Sequence, residues 1–304
     1  KLDYLMTESP PLFLGISGFL LARLKRSRWI FNVSDLWPES AVRMGVVGPG
    51  WSLSAAERLE SFCYRKAWLV SGQSREILED IHRRFPQVPT YHLSNGVDST
   101  FFRPDRANPE TRRMLLGESR AGSIAVYAGL HGLAQGLDQI LDAAARLREL
   151  DWLVVFIGDG PEKAKLQARA IELGLSEERA RFLDPMPRER IADCLASSDL
   201  AVVPLGFHLP GAVPSKLYEA MGAGRAVMLV AEGEAVSILR QADAGLAARP
   251  GDPEDLAAKI QQLVSNPSLR ERLGRNGRDA AVHLYDRGLI ARGFIHHLEE
   301  HLGR

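Results

Sequence analysis

The sequence predicts an α/β protein with two parallel-sheet domains, on three observations. Short apolar runs alternate with helical patterns along the chain, as strands joined by crossover helices do. Runs such as LAVV (200–203) and AVMLV (226–230) are apolar throughout, as in strands buried on both faces. The alternation pauses over a polar stretch with Pro104 and Pro109 and then restarts, which marks the passage into a second domain. The 304 residues leave room for about two domains.

The elements follow in order. Residues 3–7 read as a strand, followed by a loop with Glu8, Ser9, Pro10 and Pro11 and a helix to about Arg26. Residues 29–33 form a second strand, and 35–40 (DLWPES) a loop at its carboxyl end. A glycine-rich connection, 45–50, leads to a helix over 54–66. A strand at 67–70, a helix at 73–84 and a strand at 90–93 complete the first set. After the turn at 95–98 and the polar crossing to about 122, strands are expected at 124–128, 152–157, 181–183, 200–203, 226–230 and 246–248. Helices at 136–150, 161–173, 188–197 and 214–222 connect them, with others at 234–242, 253–265, 267–284 and 286–302. The second domain thus has a full doubly wound sheet of about six strands, the first only about four. The chain opens in mid-pattern, so the first domain is expected to lack its N-terminal strands. The expected division is 1–97, 98–285 and a last helix, 286–304, packing back toward the first domain.

Composition narrows the function. Apolar residues make up 45% and charged residues 25%, with a net charge of +0. No general field draws such a chain to nucleic acid. The two cysteines, Cys63 and Cys194, lack metal spacing and suggest a reducing compartment. The most apolar stretch, 12–22, is shorter than the ~20 residues a bilayer span needs. It runs into Arg23, Lys25, Arg26 and Arg28, so two readings stand: a helix covering a sheet, or one lying on an anionic membrane surface.

The most informative stretch is GAVPSKLYEAMGAGRAVMLV (211–230). It reads as a helix opened by Pro214 with Ser215 as N-cap, closed by Gly222 and Gly224, and followed by a strand. A helix at the carboxyl end of a strand offers free N–H groups and a positive dipole end to an anion. Lys216 adds a full charge, and Glu219, one turn on, can accept hydrogen bonds from a pair of hydroxyls. Amides and a cation for phosphate, with a carboxylate for a ribose diol, describe a nucleotide site. The plainer reading is a solvent-facing Lys–Glu pair.

Other strand-end loops belong to the same sheet. The segment 129–136 (GLHGLAQG), with His131, Gly132 and Gln135, lets backbone approach a phosphate. It has neither dinucleotide nor Walker spacing, and for His131 a polar loop residue is the plainer reading beside a catalytic one. The turn 158–161, with Gly160, and the loop 184–187, with Met186, could line the same crevice. In the first domain, Glu8, Ser9, Asp35 and Glu39 sit on strand-end loops beside Trp37 and suit sugar hydroxyls; packing and turn capping are the alternatives. The sequence offers no Ser-His-Asp set, metal-ligand cluster or carboxylate pair for glycoside hydrolysis.

Six segments carry a resemblance: TESPPLFLG (7–15), DLWPES (35–40), SNGVD (94–98), YAGLHGLAQGL (127–137), GDGPE (158–162) and PSKLYEAMGAGRAV (214–227). Together they make the chain similar to the retaining glycosyltransferases of family 4, and within them to the bacterial surface-polysaccharide, fucosamine-type transferases. The resemblance implies the GT-B fold, two facing Rossmann-like doubly wound domains with the donor in the cleft. It implies a nucleotide-sugar donor, usually a uridine diphosphate sugar, and a glycan or lipid-linked acceptor. No cofactor and no metal are implied, because amides and cations stabilise the leaving diphosphate. Glu219 matches the glutamate that holds the ribose. Ser215, Lys216 and Leu217 match the helix start at the diphosphate, with Val213 just before it. Gly132 and the loop around it, which holds His131 and Gln135, match the other phosphate-side loop, Gly160 is a further donor-side candidate, and Met186 falls where backbone meets the base. Lys216 and Asp35 are the candidates for catalysis, with Glu8, Ser9 and Glu39 on the acceptor side. Three departures stand out: Gly211 replaces a first glutamate, Gln135 a usual lysine, and Ser34 an arginine. A cytoplasmic protein, peripheral on the inner face of the cytoplasmic membrane, is the expected setting. A nucleotide-sugar epimerase and a non-catalytic nucleotide-sugar-binding subunit are the rival readings.

Overall fold

The structure, a computed structural model, describes residues 2–302. Two compact units make up the chain. The first comprises Lys1–Asn95, Leu209–Val213 and Ile290–Arg304; the second comprises Gly96–His208 and Pro214–Leu289. The segment 209–213 thus groups with the first unit, although the sequence pattern runs it through the second.

In the first unit, β1 (Tyr4–Ser9), β2 (Arg28–Val33), β3 (Leu69–Gly72) and β4 (Thr90–His92) form a parallel sheet in that order. Helices α1 (Leu14–Lys25), α2 (Glu39–Arg43), α3 (Trp51–Lys66) and α4 (Arg75–Arg84) connect them. The segment 35–40 is therefore not all loop, since Glu39 opens the short α2. Helix α3 starts three residues before the expected 54. Aromatic side chains fill the core: Trp29, Phe31 and Tyr64 are buried, with ring centroids 5.5 and 6.0 Å apart along that series. Beneath Tyr64, Arg84 grips Glu60 through two bonds of 2.8 and 2.9 Å, a fork-on-carboxylate geometry that lets a charge be buried.

The second unit begins with a segment expected to be irregular. It holds α5 (Pro109–Leu116), with Asn108 capping the amide of Thr111 and Pro109 at the first helical position. Strands β5 (Ser123–Ala128), β6 (Trp152–Ile157), β7 (Ala180–Leu183), β8 (Leu200–Pro204), β9 (Ala226–Val230) and β10 (Gly245–Ala248) alternate with α6 (Asp138–Arg146), α7 (Lys163–Glu172), α8 (Arg188–Ser197), α9 (Ser215–Gly222) and α10 (Glu234–Gln241). Helices α11 (Pro253–Val264), α12 (Pro267–His283) and α13 (Arg287–Leu302) follow, and α13 runs on into the first unit. Helix α6 is shorter than the expected 136–150, because Gly136 takes a left-handed conformation at the end of a 3₁₀ turn.

The all-parallel sheet has the order β10-β9-β8-β5-β6-β7. Strand order reverses between β5 and β8, the switch point at which doubly wound sheets bind ligands. Every residue of β6, β8 and β9 is buried, as layers of helix on both faces require. Arg278 of α12 donates to the carbonyls of Ser99, Phe102 and Gly222, all within 2.9 Å, and so caps the C-terminal end of α9.

Candidate functional site

The loops after β5 and β8 flank the switch point, and three strand-end loops are stitched together by main-chain bonds. Gly129 N–H donates to Ile157 O, His131 N–H to Asp159 O, and Gly158 N–H to Leu183 O, at 2.8–3.1 Å. Glu162 N–H returns to His131 O at 3.0 Å. The amides of Gly129, His131 and Gly158 are thus committed to holding the loops. Approach is so close that a Cβ on Gly158 would collide with Gly129 O, at a φ of +143° that side chains rarely adopt.

Helix α9 presents its start to the same edge. Pro214 is the N-cap, and Ser215, expected to cap, is the first helical residue and makes no side-chain cap. The amides of Ser215 and Lys216 have no acceptor within the helix, while Leu217 N–H bonds Pro214 O at 3.0 Å. The Lys216 chain lies along Gly129, where a Cβ would be 2.7 Å from Nζ, and its ammonium sits 5.9 Å from the Tyr127 ring centroid. Tyr127 donates its hydroxyl to Leu130 O at 2.6 Å and so fixes the loop beneath the lysine.

Burial sets the electrostatics. It lowers the Lys216 pKa, with Glu219 opposing the shift. It raises the Glu219 pKa, opposed by Lys216, Arg188 and Arg287. Arg188 lies 4.9 Å from the Phe101 ring centroid. Neither arginine was singled out from sequence; the one signal was Arg188 opening a helix directly after the 184–187 loop.

The remaining donor-side candidates divide. Gly132 and Gln135 share the β5 loop with His131, and Gly160 lies against it: a Cβ on Gly160 would be 2.9 Å from His131 N. His131 is not the polar loop residue expected. It is fully buried, with ring centroids of Tyr127, Phe156 and Phe182 at 6.0–6.4 Å, and neither ring nitrogen has a hydrogen-bond partner. Burial and Lys163 lower its pKa, which keeps the ring neutral. Its main chain is bonded into the stitched loops, and its ring packs beneath them, with Nε2 3.4 Å from where a Cβ on Gly158 would lie. Met186 is half-buried, its sulfur 4.0 Å from Cys194 Sγ. Leu217 is wholly buried, so only its backbone remains for a ligand. Val213 is buried and groups with the first unit.

On the first unit, Glu8 accepts from Ser34 Oγ. Ser34 O accepts from Gln73 Nε2 at 2.5 Å, and Gln73 Oε1 accepts from Asn95. Ser9, the other candidate at this strand end, is 2% exposed. Asp35 is half-buried, and that burial raises its pKa. Glu39 is exposed and paired with Arg43 at 2.8 Å.

Residues 117–280 match the family described as glycosyl transferases group 1. A D-inositol 3-phosphate glycosyltransferase of Thermomonospora curvata is 31% identical over 78% of this chain, which spans 55% of that relative's length. A putative colanic acid biosynthesis glycosyl transferase, WcaI of Escherichia coli, is 25% identical over 97% of this chain and 73% of its own. Among solved structures, Anabaena Alr3699/HepE in complex with UDP superposes with a TM-score of 0.80 at 19% identity, covering 98% of this chain and 79% of that one. The two Rossmann-like units are those of the GT-B class. With more than half its length inside the family match, the chain belongs to the group 1 glycosyl transferases.

Proposed function

We propose that the protein is part of a retaining glycosyltransferase that moves a sugar from a nucleotide diphosphate, most simply uridine diphosphate, to a lipid-linked intermediate of a surface polysaccharide. The observation that carries the reading is Lys216 in the first turn of α9, lying along Gly129 at the switch point, with Glu219 one turn behind. The amides of Ser215 and Lys216 and the lysine charge would receive the diphosphate. Glu219 would accept from the ribose hydroxyls, and the main chain at Met186 would meet the base. The acceptor hydroxyl oxygen attacks the anomeric carbon from the side the diphosphate leaves. The carbon–oxygen bond to phosphate breaks, and the departing phosphate oxygen takes the hydroxyl proton. No protein nucleophile is required. Asp35, Glu8 and Glu39 are the acceptor-side candidates. The complex with UDP named for the Anabaena protein and the biosynthetic role named for WcaI lean the same way, as does the resemblance of six segments to the family 4, fucosamine-type transferases.

Titration calorimetry with uridine, guanosine and thymidine diphosphates is the test. Selective micromolar binding of the uridine nucleotide is expected. Equal affinity for all three would remove the base assignment, and no binding by folded protein would remove the donor site.

A further inference from the structure

A cavity of about 420 Å³ opens at the amino ends of β8 and β9, wholly within the second unit. Sites for small molecules are usually about 300–1,000 Å³. The cavity lies at the opposite end of the sheet from the switch-point loops, since a five-residue strand such as β9 spans about 16 Å. Backbone makes its floor. A Cβ on Gly274 of α12 would collide with Gly224 O, and one on Gly224, at a φ of +68°, would lie 2.7 Å from Pro104 Cγ. The close approach of α12 to the turn before β9 brings Arg225, Arg270, Arg275 and Arg278 into one lining.

The protein uses these guanidinium groups only in part. Arg225 donates Nε to Ala223 O and Nη1 to Ser198 O, both at 3.2 Å. Arg270 donates Nη1 to Leu263 O and Val264 O at 2.7 Å, and Arg278 spends Nη1 on its three carbonyls. These bonds hold the planar groups in place. Among the described residues, nothing accepts from Nη2 of Arg225 or from Nε and Nη2 of Arg270 and Arg278, and none of those nitrogens is sealed from solvent. Of the acids in the lining, Asp199 is already engaged, accepting from Arg112 at 2.9 Å and from the Ile124 amide at 2.8 Å. Glu271 and Asp279 are exposed, with Glu271 3.9 Å from Arg275. Burial lowers the pKa of both Arg225 and Arg278, yet guanidinium stays charged, so an anion beside them would offset a desolvation cost. Oriented forks match the oxygens of a phosphate, and neighbouring carboxylates accept from hydroxyls.

We propose that this cavity binds a sugar phosphomonoester, with the phosphate on Arg225, Arg270 and Arg278 and the sugar hydroxyls on Glu271 and Asp279. The proposal does not rest on the donor reading. The test is titration calorimetry of the 304-residue chain with glucose 6-phosphate, inorganic phosphate and glucose. Glucose 6-phosphate should bind, inorganic phosphate more weakly and glucose not at all. Arg270→Ala, checked for native circular dichroism, should weaken glucose 6-phosphate at least about tenfold. Glu271→Ala should weaken it several-fold and leave inorganic phosphate no weaker. In the unsubstituted chain, glucose 6-phosphate should slow hydrogen exchange at 224–226 and 267–279. No binding by folded protein, equal affinity for inorganic phosphate, or full binding by folded Arg270→Ala overturns the proposal. So does binding that Lys216→Ala abolishes, with exchange slowed at 129–136 and 215–217 instead, which would place the phosphate at the start of α9.

Discussion

Lys216 and Glu219 are charged groups held where burial disfavours charge. Folding lowers the pKa of Lys216, so the unfolded chain holds its proton more tightly, and stability rises with pH between the folded and unfolded values. Folding raises the pKa of Glu219, so stability falls as pH climbs from the unfolded value through the folded one. At neutral pH each charge costs stability, and a binding site is a common reason to retain such a cost. Glu219→Gln should raise the melting temperature while weakening uridine diphosphate binding; a drop in melting temperature would mean the carboxylate is structural. Glu219→Ala should cost about 1.5–3 kcal/mol of donor affinity in calorimetry, the range for lost hydrogen bonds to a charged group. Donor affinity of the unsubstituted protein should also fall as pH drops through the Glu219 titration, above its ordinary 4.5. Glu219→Gln should flatten that dependence. The sequence named this pair from its place in the first turns of a helix that follows a strand, and from the family resemblance. It did not name Arg188 or Arg287, whose effect on Glu219 arises only once α8 and the start of α13 are packed in place. It misjudged His131 because a loop position suggests water, whereas the stitched loops close over the ring.

The loops after β5, β6 and β7 behave as one element rather than three, because their main chains hydrogen-bond in series. A side chain inserted between them acts on all. Gly158→Ala combines a disfavoured φ with a collision against Gly129 O, and should destabilise by about 2–5 kcal/mol. Denaturant unfolding of the variant, set beside uridine diphosphate titration, should show both losses together. Little change in stability would mean the loops separate easily. The α9 helix was legible because proline and glycine bracket it. Its N-cap was misplaced by one residue because Pro214 and Ser215 both suit a helix start, and only the backbone conformation decides. Helix α5 was hidden in a polar stretch read as a crossing, although Asn108-Pro109 carries the capping signal in plain view.

Strand number and parallel direction in both units followed from apolar runs and alternation, whereas the order of the strands came only with the structure. Grouping by spatial contact did not follow, because a short segment such as 209–213 carries no periodic pattern. Ligand binding offers a readout across the chain. Uridine diphosphate at one hundred times its dissociation constant should add about 2.7 kcal/mol to the unit that binds it. Hydrogen exchange should slow in β5, β8 and the start of α9, while the β1–β4 sheet stays as it was. Slowing confined to β1–β4 would move the donor site to the other unit. The assignment of Ile290–Arg304 to the first unit also bears on synthesis. Phe294 joins Ile30 and Leu69 in that unit's core, and Tyr4 bonds Leu298 O at 2.7 Å. The strands β1–β4 are therefore made well before α13, and their core cannot be completed until that helix has emerged. The second unit, almost uninterrupted between Gly96 and Leu289, can finish before it. Translation would thus let the second unit fold before the first, although most of the first precedes it in the chain, a reversal of the N-terminal-first order of ordinary multidomain chains.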